Sequence, residues 1–149
     1  MHMRGPSDIF ETAVAEWRKR SVKLLPPATS EEIAATFAKL NYPVTSDVRR
    51  LYSLTGGFVN YECDYQWSLW SLGRIVKENK RRDTSPLWFA DFLICSHVYC
   101  FQSMSPSTSA VYIDHNDPKT EPYMIADSLG GFLEKYLANP DTVEAFTID

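Results

Sequence analysis

The sequence predicts an α+β fold: N-terminal helices and a C-terminal helix packed on a mainly antiparallel β-sheet, in one domain. Three observations carry this. The first third of the chain has apolar residues at helical spacing, and the middle shifts to β-branched and aromatic runs of period two. Helical spacing then returns near the C-terminus, so the order is helices, strands, helix rather than an alternating βαβ pattern. The 149 residues match one ordinary domain, and no internal repeat or linker divides them.

In "SDIFETAVAEWRKRSVK", Phe10, Ala13, Val14 and Trp17 form one stripe, predicting a helix over 8–23. Asp8 and Glu11 suit its start, and Arg18, Lys19, Arg20 and Lys23 suit its negative end. Pro26 and Pro27 stop it. Thr29 with Glu32 forms a capping box for a helix over 31–40, with Ile33, Phe37 and Leu40 inward. After Pro43, Thr45 or Ser46 starts a third helix over 46–55, carrying Val48, Leu51 and Tyr52. Gly56 stands where a helix ends in a left-handed residue, and Gly57 releases the chain toward a strand.

The central strands fall between 58 and 114. "FVNYECDYQWSLWSL" reads as extended, with Tyr65, Trp67 and Leu69 on one side, and polar "GRIVKENKRRDTS" as a short helix. "LWFADFLICSHVYCFQSM" and "SAVYID" read as strands, and "HNDPKTEP" as a turn. A short strand then leads into a helix over 128–138, started by Asp127 or Ser128, with Leu129, Phe132, Leu133 and Tyr136 as its apolar face.

The chemistry-bearing residues form no recognised catalytic pattern. Phosphate loops run from strand into helix, whereas Gly56-Gly57 run from helix toward strand. Cys95, His97 and Cys100 do not share a strand face and lack a fourth ligand at zinc spacing. A cation loop opening at Asp114 would put Lys119 where glycine is required and Ile125 where the distal glutamate belongs. No nucleophile sits in a hydrolase elbow, and only His97 and His115 are credible bases. An enzyme would need one of those histidines in a pocket beside a carboxylate or Cys95. The expectation is a non-catalytic protein without cofactor or metal. The net charge of −4 argues against direct nucleic-acid binding. Three cysteines with no scaffold spacing suit a reducing compartment, and no apolar run is long enough for a membrane span, so a cytoplasmic location is expected.

"LPPATSEEIAATFAKLNYPVTSDVRRLYSLTGGF" resembles the N-terminal half of the SUKH superfamily (Smi/Knr type), through Glu32-Ile33, Pro43 and Gly56-Gly57-Phe58. "WSLWSLGRI" resembles its middle segment. "MIADSLGGFLEKYL" resembles its closing helix, through Asp127, Ser128, Phe132 and Leu133. The likeness covers about 25–138. It departs at "LWFADFLICSHVYCF", where many members carry a Gly/Asp-rich stretch. The resemblance implies helices against a curved sheet and a protein-binding role. Bacterial members resemble immunity proteins that block a cognate toxin, often a nuclease; fungal members resemble regulators of cell-wall synthesis. A small-ligand module using the Tyr/Trp segment is a further alternative. Acids interleaved with rings at Tyr61, Glu62, Asp64 and Tyr65, extended by Asp114 and Asp117, are the expected partner-binding surface, suited to a basic nuclease toxin.

Overall fold

Helix α1, Ile9–Lys19, opens the computed structural model, which describes residues 8–80 and 86–147. Asp8 accepts a hydrogen bond from Phe10 N–H and caps it, and Ala13, Val14 and Trp17 are buried. The helix is shorter than its periodicity predicts, because Ser21 takes φ 64° and turns the chain into an extended segment at Leu24. Helix α2, Ser30–Lys39, carries the expected capping box of Thr29 and Glu32. Helix α3, Ser46–Tyr52, ends three residues early. Thr45 precedes it, but its hydroxyl turns to Asp47 and Ser109 instead of capping.

The glycines act differently from the sequence reading. Gly57, not Gly56, has positive φ (111°). Gly56 is needed for close approach: a Cβ there would lie 2.6 Å from the Pro26 carbonyl oxygen. At Gly57 a Cβ would also meet the Trp70 carbonyl at 2.7 Å.

The sheet is a five-stranded antiparallel meander in chain order: β1 Trp67–Leu69, β2 Leu87–Phe92, β3 His97–Ser103, β4 Ser109–Asp114, β5 Tyr123–Ala126. Helix α4, Leu72–Asn79, capped by Ser71, lies between β1 and β2. The rest of the polar stretch that suggested this helix, residues 81–85, lies outside the described residues. Helix α5, Leu129–Ala138, is capped by Ser128 and buries Leu129, Phe132, Leu133 and Tyr136, as its pattern predicts. A short 3-10 helix, Pro140–Ala145, follows. Trp67 sits at the centre of an aromatic core, packing on Trp17, Phe58, Tyr99, Phe132 and Tyr136 at 5.0–6.3 Å between ring centroids. The expected α+β architecture is the observed one. Tyr65, however, lies in a left-handed turn (φ 50°) before β1 and not on the strand.

The meander gathers three turns at one end of the sheet. The 64–67 turn opens β1, residues 93–96 join β2 to β3, and residues 115–122 join β4 to β5.

Candidate functional site

At this end the hairpin turn between β2 and β3 has an unfavourable backbone. Leu93, Ile94 and Cys95 take φ of 51°, 51° and 68° in succession. A left-handed conformation costs an L-residue about 1–2 kcal/mol, and Asn-Gly is the usual solution in a tight hairpin. The turn is closed by Ser96 N–H donating to Phe92 C=O, and tied to its neighbour by Leu93 N–H donating to Gln66 C=O at 3.0 Å. Apolar side chains nevertheless project into solvent: Ile94 is 80% exposed and Leu93 50%. Tyr61, 85% exposed, and Tyr65 flank them.

Between Tyr61 and the turn lies a cavity of about 200 Å³, lined also by Glu62, Cys63, Gln66, Ser68, Arg74 and Asp91. Its floor is a buried ion pair. Asp91 is 3% exposed, and its Oδ2 accepts from Trp70 Nε1 (2.6 Å) and Arg74 Nη2 (3.0 Å). The Arg74 guanidinium also stacks over the Trp70 ring at 4.6 Å and reaches Glu78. Cys95 Sγ rests 3.8 Å from the same oxygen, and burial followed by the Asp91 charge pushes its thiol above the ordinary range. A raised thiol is a poor nucleophile.

Tyr61, Glu62 and Tyr65 all reach the surface at this end. Asp64 does not. It is 5% exposed, paired with Arg20 at 2.6 Å and hydrogen-bonded by the Tyr136 hydroxyl, which Trp17 Nε1 also contacts. The expectation of an exposed acid there is corrected: this carboxylate joins α1, the 64–67 turn and α5. Asp114 and Asp117 accept from Asn116 N–H and Lys119 N–H in the β4–β5 loop. They lie at the same end, three strand spacings from β1, roughly 14 Å. The sequence reading missed Leu93, Ile94, Arg74 and Asp91.

His97 and His115 pack edge to face at 4.5 Å, and His115 Nε2 meets the Tyr123 hydroxyl at 2.9 Å. Burial, then the neighbouring His115, lowers the His97 pKa. Neither imidazole hydrogen-bonds a carboxylate or Cys95 among the described residues. No group of three or more His, Cys, Asp or Glu side chains there is arranged to hold a metal ion. No described helix is long and apolar enough to cross a membrane.

The model of the SMI1/KNR4 family (SUKH-1) matches residues 27–135, about three quarters of the chain. The chain belongs to this family. No curated protein matches it significantly in sequence. The SUKH-1 match spans α2 through most of α5 and includes every residue lining the cavity. Membership supports a protein-binding role of the immunity or Smi/Knr regulatory type in general.

Proposed function

We propose that this SUKH-1 domain is a non-catalytic immunity protein that neutralises a cognate toxin by docking the turn end of its sheet over the toxin. The observation that carries the reading is the Leu93-Ile94 turn, where left-handed backbone and solvent-exposed apolar side chains coincide. Such local cost persists where the surface has another use. Four of the six large hydrophobics that are exposed among the described residues, Tyr61, Tyr65, Leu93 and Ile94, cluster there. A few central anchors, tyrosine among the commonest, supply most of an interface's affinity. A cavity of about 200 Å³ lies below the roughly 300–1,000 Å³ of small-molecule sites, which favours a side chain over a metabolite. Arg20 and Arg74 are offset by Asp64 and Asp91, and Glu62, Asp114, Asp117 and Glu121 outnumber Lys23, Lys77 and Lys119 around this end, which favours a basic partner such as a nuclease.

The experiment screens purified nuclease-toxin domains for one that this protein inhibits, then measures binding and protection with Tyr61→Ala and Ile94→Asp. Each substitution is expected to speed dissociation at least tenfold while leaving the fold intact. Wild-type affinity and protection in both variants would reject this face.

A further inference from the structure

We infer that the cavity between Tyr61 and the Leu93-Ile94 turn receives a lysine side chain of the protein partner. The inference rests on the protein-binding reading above and names the chemistry of the anchor. The walls are apolar, offered by Tyr61, Leu93 and Ile94. The floor is not satisfied by apolar contact alone. All the hydrogen bonds to the Asp91 carboxylate go to Oδ2, and among the described residues no donor reaches Oδ1. Ser68, 7% exposed, lines the same space with a hydroxyl that no described residue engages. Covering these oxygens with a wholly apolar side chain would strip their water and return no hydrogen bond.

The occupant therefore needs a long aliphatic stem ending in donors. Charge selects among such side chains. Asp91 and Arg74 offset each other, whereas Glu62, also at the cavity wall, gives one oxygen to Lys23 N–H, and no donor among the described residues reaches the other. The residual charge is negative, so a cation is preferred to a phenol. Lysine offers three donors, as many as the acceptor-bearing side chains Asp91, Ser68 and Glu62 that line the cavity. Arginine's planar five-donor fork exceeds that supply.

The test is amide-resolved NMR titration of the full chain, at constant ionic strength. The probes are Nα-acetyl-lysine N-methylamide, its neutral counterpart Nα-acetyl-norleucine N-methylamide, and the blocked tyrosine. The lysine probe is expected to shift the amides of Gln66, Ser68, Leu93 and Ile94 saturably, at least fivefold more tightly than norleucine. Glu62→Gln keeps an acceptor for Lys23 N–H, and is expected to weaken the lysine probe at least threefold while leaving norleucine unchanged. Equal or tighter binding of norleucine or tyrosine, or no saturable shift at these amides, overturns the inference. The readout is independent of any toxin. A lysine probe that seats while no toxin domain in the screen binds rejects only the immunity reading. A toxin that binds while the probe does not seat rejects only the lysine.

Discussion

Asp64 shows how burial reverses a residue's role. A carboxylate 5% exposed is tolerable because Arg20 and the Tyr136 hydroxyl surround it. Burial, then the hydrogen bond and charge of Asp64, push the Tyr136 phenol far above its usual range, so it remains a donor. Removing one partner leaves an uncompensated charge. Arg20→Met is expected to cost about 3 kcal/mol in urea unfolding, and an unchanged midpoint would show that the pair is dispensable. His97 supplies a pH dependence of defined sign. Its pKa is lowered in the fold, so below about 6.5 the unfolded chain binds the extra proton. The contribution is therefore complete above that value and is lost as pH falls through the folded-state pKa. His115 and Glu144 bear on the same ring, one opposing its charge and the other favouring it. The drop in melting temperature between pH 7.5 and 5.5 is expected to be smaller in His97→Phe than in wild type. An equal drop would assign the effect to other groups.

The Leu93–Ser96 turn sets two demands against each other. Asparagine occupies left-handed backbone more readily than a β-branched residue. Ile94→Asn is expected to raise stability by about 1 kcal/mol, or roughly 2–4 °C in Tm, while lowering partner affinity at least tenfold. A variant that loses stability would mean that the exposed isoleucine packs usefully within its own chain. This turn also shows where sequence reasoning stopped. The helices were legible because capping boxes, prolines and apolar stripes are local signals, and α2 and α5 follow them closely. "LWFADFLICSHVYCFQSM" contains no glycine, proline or asparagine, and the turn former at its centre is a lone serine, Ser96, whose signal is weak. Its length was the available clue, since strands seldom exceed about ten residues and a run this long must fold back near its middle. Asp64 was misplaced for a related reason: its partners Arg20 and Tyr136 lie 44 and 72 residues away, beyond any local pattern.

Across the whole molecule, the meander order determines what a partner meets. Because the strands pair in chain order, the turns that open β1 and join β2 to β3 and β4 to β5 fall at one end. The β3–β4 hairpin lies at the other end, against α3, where Ser109 N–H donates to Asp47. A partner at the first end meets separated carboxylates around a mostly apolar centre. Rim charges of this kind act on encounter more than on residence. Raising salt from 0.05 to 0.5 M is expected to slow association with a basic toxin at least tenfold and to change dissociation less than threefold. A salt effect confined to dissociation would place the charges inside the interface.

Trp70 is almost wholly buried, yet its indole N–H is bonded to the carboxylate at the floor of the cavity and its ring lies beneath Arg74. When a partner covers the mouth and excludes water, the field of that ion pair is less screened. An indole's emission follows the field across its ring. Trp70 is thus an intrinsic optical reporter just beneath the proposed contact surface, expected to register occupancy without a dye.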